Sequence, residues 1–351
     1  MTQEILLLPS PRGPLSRWCV EALTNAPDIA ALSSAVDLVP PDVLSDDDAQ
    51  LALWMLYEMH YLGFDDVDPA REWDPTLLSF RRELERRFER ELRERTSSVV
   101  DDALTTPDVA QAIFDLCAQD QSPAVAAYAR RTADRREMLE LLMHRSVYQL
   151  KEADPQTWLI PRLRGRAKAA LLQIQYDEYG CGRAEEVHQT LFANTLAACG
   201  LDPGYGAYVE DAPGTTLALS NAVSLLGLHR RLRGAAAGYY AAVEATSSMP
   251  SRKMSQGLTR LGFGPEATYF FDEHVEADSV HEQLAARELC GSLVQDRPDL
   301  HRDVLFGAAA YLLVEGLFAT AVLDAWEAGA TSLYRSGADG TDAPAVGRVT
   351  A

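Results

Sequence analysis

At 351 residues, 47% of them hydrophobic, the chain is long enough for two domains, or one large domain with an extension, around a substantial core. Its 52 acidic residues against 32 basic ones leave a net charge of -20, which repels nucleic-acid phosphates and anionic membranes and points to a small-molecule substrate. The five cysteines (Cys19, Cys117, Cys181, Cys199 and Cys290) are odd in number and contain no CxxC pair, so they indicate neither a disulfide framework nor a zinc ribbon and suit a reducing cytoplasm.

In chain order, the N-terminus lacks a basic and then apolar leader with a small-residue cleavage site. No apolar run is read as long enough to span a bilayer, so a cytoplasmic protein is expected. Residues 1 to about 45 are Pro-rich and broken, and Pro40-Pro41 stops any helix before it. From Asp46 the spacing of Leu51, Trp54, Met55, Leu56, Met59 and Leu62 predicts a helix ending at Gly63. Glu58 and His60, two positions apart on it, read as surface or interface residues. A charged helix from Pro75 to Arg95 follows, with Leu77, Phe80, Leu84 and Phe88 as its packing face. The polar stretch Arg95-Thr96-Ser97-Ser98 reads as a seam between an N-terminal extension (1–100) and a main domain (101–330).

Beyond the seam, helices are expected around Pro107 to Leu116, over Ala124 to His144, and up to Pro155. Others are expected over Arg162 to Tyr179 and, after the break Gly180-Cys181-Gly182, over Ala184 to Cys199. Two more lie between Thr216 and Glu244, a short one after Pro250, one from Pro265, and a very apolar one from Asp303 to Glu327. No segment alternates like a half-buried strand and no fixed repeat is visible, so the fold class is all-α. The Gly- and Asp-rich residues 331–351 read as a disordered tail.

The chemistry concentrates in Phe271 to His281. On a helix turning roughly 100° per residue, His274, Asp278 and His281 at i, i+4 and i+7 point within about 60° of one another. Two imidazoles and a carboxylate suit iron, manganese or zinc, although an acidic face can also be simply solvated. Glu178 and His188 bracket the Gly-Cys-Gly break, and Glu244 stands in the apolar and aromatic run Tyr239 to Val243, where an unpaired carboxylate is costly. Helical bundles build metal centres from such inward-facing groups. His144, His229 and His301 lack partners at ligand spacing. Cys181 lies beside the candidate ligands without being needed. Phe270 and Phe271 share the His274 face, and Arg230, Arg231, Arg252 and Lys253 are the nearest cations for a substrate carboxylate.

The run Gln175 to Gly180 with His188 downstream, the lone Glu244, and His274-x3-Asp278-x2-His281 resembles the haem-oxygenase-like diiron oxidases and oxygenases, over roughly residues 100 to 330. The resemblance implies a haem-oxygenase-like seven-helix bundle with an N-terminal helical extension and without haem. It also implies two irons, cycling between Fe2+ and Fe3+ with O2 as co-substrate, held by Glu178, His188, Glu244, His274, Asp278 and His281. Members of that family that hydroxylate nitrogen carry a further glutamate on the preceding helix. Glu152 matches it, with Asp154 as the other candidate and an ordinary helix end before Pro155 as the plain explanation.

The expected function is oxygenation of a small amine or amino-acid-like metabolite, N-oxygenation in natural-product biosynthesis, with an electron donor or reductase as a possible partner. Two alternatives remain: oxidative cleavage or desaturation of a fatty acid or amino acid at the same centre, and a metal-free helical protein of the same fold. Fold alone does not choose among them. The stripe Trp54, Leu56, Met59, Leu62 needs a cover, and the expectation is that the extension forms a helical hairpin against the core and contributes to a homodimer contact.

Overall fold

The computed structural model describes residues 6–25 and 29–334, and the side chains at 29–31 and 276–280 lie outside that description. The regular secondary structure of the described residues is helical, and an isolated Tyr179–Val187 bridge is the only extended pairing among them. The first helices are α1 (Pro14–Thr24), α2 (Ile29–Asp37), α3 (Asp47–Glu58), α4 (Pro75–Ala103), α5 (Val109–Gln119), α6 (Val125–Arg131) and α7 (Arg135–Gln149). After them come α8 (Asp154–Thr157), α9 (Gly165–Glu178), α10 (His188–Ala198), α11 (Gly214–Leu228), α12 (Arg233–Arg260) and α13 (Pro265–Gln283). A π-helical turn over Leu284–Gly291 leads into α14 (Ser292–Asp296), and α15 spans His301–Glu327.

Aspartates start several of these helices where the sequence turns apolar. Asp46, Asp74 and Asp108 each accept a first-turn backbone N–H, and Asp134 with Glu137 forms a capping box. The Asp134 cap divides the expected Ala124–His144 helix into α6 and α7. The Arg95–Ser98 stretch is no break, because α4 continues through it with Thr96 and Val100 on its buried face. Pro250 likewise lies inside α12, where it withholds one hydrogen bond from the carbonyl four residues back yet the helix runs on to Arg260.

α12 is the central helix, packed along α13 and α15, while α3 lies on α11 and α4 on α15. At the α12–α15 crossing, a Cβ on Gly238 would fall 1.8 Å from the Val304 carbonyl oxygen, and one on Gly307 would fall 1.8 Å from that of Ala235. Only glycine permits that approach. α15 is the one described helix apolar and long enough to cross a membrane, which amends the expectation of none; burial against its neighbours accounts for that composition. Trp18, Trp54, Phe80 and Phe88 of the N-terminal helices share one hydrophobic cluster with α11, α12 and α15. A second cluster, with Phe192, Phe270 and Phe271, fills the space between α7, α10 and α13.

One reading of α3 is corrected. Glu58 is fully buried and His60 nearly so, because partners distant in sequence, Lys151 for Glu58 and Glu72 with Arg81 for His60, take up their polar atoms. Trp54, Leu56 and Met59 are covered by the chain's own core, leaving only Leu62 of the stripe exposed. The packing of this helix on the core is as expected, and it is the core that covers these three side chains.

Candidate metal centre

Glu178 is the last residue of α9, and the chain reverses immediately after it. Gly180 (φ 65°), Cys181 (φ 53°) and Gly182 (φ 82°) are all left-handed, and a Cβ on Gly180 would sit 2.6 Å from the Glu186 carbonyl carbon. This tight reversal sets His188, at the start of α10, opposite Glu178, with Nδ1 and Oε2 2.8 Å apart. Glu244 enters from the middle of α12, and His274 and His281 enter from α13. Glu152 follows the end of α7 and brings Oε2 to 3.6 Å from His274 Nε2. His281 Nδ1 lies 3.7 Å from Glu178 Oε1 and 3.5 Å from Glu244 Oε2.

These donors form two groups that share one residue: Glu152, Glu178, His188 and His274, and then Glu178, Glu244 and His281. Within each group the ligating atoms lie within 4.8 Å of one another. Glu152 Oε2, Glu178 Oε2 and His188 Nδ1 are buried without a hydrogen bond, although donor and acceptor stand close. Ligands about 2.1 Å from a common cation lie roughly 3 to 3.5 Å apart without pointing at each other. The separations here, 2.8 to 3.7 Å, bracket that spacing, and the buried donor atoms left without a hydrogen bond fit a shared metal.

The outer partners orient the imidazoles. His274 Nδ1 donates to the Phe270 carbonyl oxygen at 2.7 Å, leaving Nε2 directed at Glu152. His281 Nε2 donates to Asp177 Oδ2 at 3.1 Å, leaving Nδ1 directed at Glu178 and Glu244. Each acceptor thus selects the tautomer whose free nitrogen faces the shared carboxylates. The electrostatics show that the carboxylates draw positive charge into the site, which a bound cation would supply in place of the His281 Nδ1 proton. Burial opposes charge on Glu178, yet His188, His274 and His281 hold its carboxyl down at about 2. Burial lifts Glu244, with added repulsion from Glu178 and Glu152. Burial also works against a charge on His281, but Glu244, Asp177 and Glu178 raise it to about 9.

A family profile described as iron-containing redox enzyme matches residues 139–316, from within α7 to α15. The chain belongs to the family of iron-containing redox enzymes. The helical architecture is accordingly the haem-oxygenase-like bundle expected from the sequence, and the matched span contains every residue of both donor groups. Over 153 residues the chain is also 29% identical to the nitrosourea synthase of Streptomyces achromogenes subsp. streptozoticus. That alignment covers 43% of this chain and 32% of the relative, so the chain matches about a third of that protein's length.

Of the residues singled out in the sequence, Glu152, Glu178, His188, Glu244, His274 and His281 converge, and Glu152 rather than Asp154 joins the donors. Asp154 instead accepts from the Tyr179 hydroxyl. The side chain of Asp278 lies outside the described residues. His144 is buried between the Thr216 and Ser332 hydroxyls, His229 pairs with Glu85, and His301 joins neither donor group. Cys181 is exposed and donates to Asp177. Phe270 packs against the His188 and His274 rings, and Phe271 lines a cavity beside them. Lys253 lines that cavity as well; Arg230, Arg231 and Arg252 do not. The sequence reading missed Asp177, whose only signal is its place beside Glu178, and also Arg145 and Glu315, which pair across the cavity wall.

Proposed function

We propose that this protein is a non-haem diiron oxygenase that N-oxygenates a small amine or amino-acid-like metabolite in natural-product biosynthesis. The observation that supports it best is the pair of donor groups sharing Glu178: one iron would be held by Glu152, Glu178, His188 and His274, the other by Glu178, Glu244 and His281. Two ferrous ions held there would supply the electrons that reduce O2. The chain's residues supply the surroundings. Asp177 and the Phe270 carbonyl keep the imidazoles in their binding tautomer, while Phe192, Phe270 and Phe271 exclude water on the α10–α13 side.

A cavity of about 290 Å³ opens against Glu152 and His274. Its lining also includes the Arg145–Glu315 ion pair and the rings of Tyr148, Tyr239 and Tyr311. Paired charges beside apolar rings suit a compact polar substrate better than a long acyl chain, which favours the amine reading over fatty-acid cleavage. A larger open hollow of about 710 Å³ shares Asp120, Ser122, Pro123 and Leu312 with the cavity's lining. The relative's name, nitrosourea synthase, also fits chemistry at nitrogen. The test is anaerobic loading with ferrous iron and exposure to oxygen in the presence of pooled amines and amino acids, with products read by mass. A product gaining one oxygen on nitrogen is expected. Oxygen consumption stimulated only by fatty acids, with loss of carbon, would move the assignment to oxidative cleavage.

A further inference from the structure

The turn that carries Glu152 is tied down far more heavily than a helix end requires. Its next residue, Ala153, adopts φ 72°, a left-handed conformation that a residue with a Cβ holds only when its surroundings impose it. Those surroundings come from three directions. Gln189, next to His188, donates to the Glu152 carbonyl at 2.8 Å. Gln175, one turn before Glu178, donates to the Ala153 carbonyl at 3.2 Å. The third tie is ionic and comes from the N-terminal helices: Lys151 Nζ meets Glu58 Oε2 of α3 at 3.2 Å, with the side chains 1% and 0% exposed.

That ion pair is fully enclosed. The Tyr205 hydroxyl donates to the other Glu58 oxygen at 2.8 Å, and the Lys151 ammonium lies 4.6 Å from the Tyr61 ring centroid and 5.7 Å from that of Trp54. Burying two charges seldom stabilises a fold more than an apolar pair of the same size would, so stability does not explain the arrangement. Position does. Lys151 and Glu152 are adjacent, and their side chains leave the turn towards different partners, one to Glu58 and the other to His274.

We infer that Glu58 and Lys151 are positioning residues of the metal centre: their buried pair fixes the turn from which Glu152 reaches its donor group, making the N-terminal helical layer part of the site's support. The inference rests on the diiron reading above, in which only one of the two donor groups contains Glu152. That asymmetry supplies the test. Ferrous iron is titrated anaerobically into the full-length protein against a chromogenic chelator, with Glu58→Gln placed in three backgrounds. In Glu244→Ala, which keeps the Glu152 group whole, the substitution should weaken iron binding about tenfold to a hundredfold. In His188→Ala, which leaves the Glu244 group as the intact one, affinity should stay within about twofold, and in Glu152→Ala the substitution should add nothing.

Equal losses in the first two backgrounds, or a loss that persists in Glu152→Ala, would mean general loosening and overturn the inference; so would no loss at all. Should Glu58→Gln fail to fold, Tyr205→Phe removes only the hydroxyl that holds Glu58 and should produce a smaller loss of the same selectivity. Wild-type protein that binds no iron would sink the diiron reading itself. Two tightly bound irons with indifference to Glu58 and Tyr205 would sink the positioning role alone.

Discussion

Asp177 allows a sharp test because two substitutions that look similar should behave differently. In the wild type its Oδ2 can only accept, which holds a His281 proton on Nε2, so that Nδ1, directed at Glu178 and Glu244, is the nitrogen that would give up its proton to a metal. Asp177→Asn can present an amide N–H to Nε2, which favours a proton on Nδ1, pointing into the metal site. Asp177→Ala leaves Nε2 to donate to water, since this side of the site is 39% exposed at Asp177. Outer partners of this kind are worth about 10- to 100-fold in metal affinity, or roughly 1.4 to 2.7 kcal/mol. The asparagine variant should lie at or beyond the upper end of that range and the alanine variant near the lower. Iron titration in the His188→Ala background, where His281 belongs to the intact group, is the assay. Alanine weaker than asparagine, or asparagine indistinguishable from wild type, would refute the tautomer argument.

His144 gives a pH dependence: burial depresses its pKa to about 3, so an unfolded chain takes up a proton near pH 6.5 that the folded chain refuses. Stability should therefore fall as pH drops from about 6.5 towards 3, by on the order of 3 kcal/mol at pH 4, and His144→Gln should flatten the melting temperature across that window. Gly307→Ala drives a methyl into the Ala235 carbonyl and should cost about 3 kcal/mol or more, lowering the melting temperature by several degrees; an unchanged melt would show that α12 and α15 separate freely. Arg145→Lys keeps the charge but loses the two-pronged contact with Glu315, and should raise KM for an amino-acid-like substrate about tenfold while leaving kcat near its wild-type value.

The sequence exposed those parts of the site that periodicity or local cost can express. His274 and His281 share a face because of their spacing. Glu178 and His188 stand out because they bracket the Gly180-Cys181-Gly182 break, whose three left-handed residues reverse the chain, and Glu244 because a carboxylate interrupts an apolar run. Glu152 carries no such mark, and only the family resemblance drew attention to it. The features that stayed hidden depend on partners distant in the chain. Asp177 is next to Glu178 in sequence yet acts on His281, 104 residues away. Glu58 looked like a surface residue because Lys151, 93 residues on, is what makes its burial tolerable. The polar run Arg95–Ser98 looked like a seam, but Thr96 turns its hydroxyl back to the Leu92 carbonyl and packs on the buried face of α4. The continuation of α12 through Pro250 is likewise a tertiary outcome that overrides a local breaker.

Iron stoichiometry bears most directly on a centre built around one shared carboxylate. Protein reconstituted anaerobically with ferrous iron and freed of loose metal should hold about two irons per chain. His188→Ala should retain the iron of the Glu244 group, and Glu244→Ala or His281→Ala that of the Glu152 group, so that each holds about one. Glu178→Ala, which removes the carboxylate common to both, should hold fewer than one while keeping its helical circular dichroism. A wild type that never exceeds one iron, or a Glu178→Ala variant that keeps two, would contradict it.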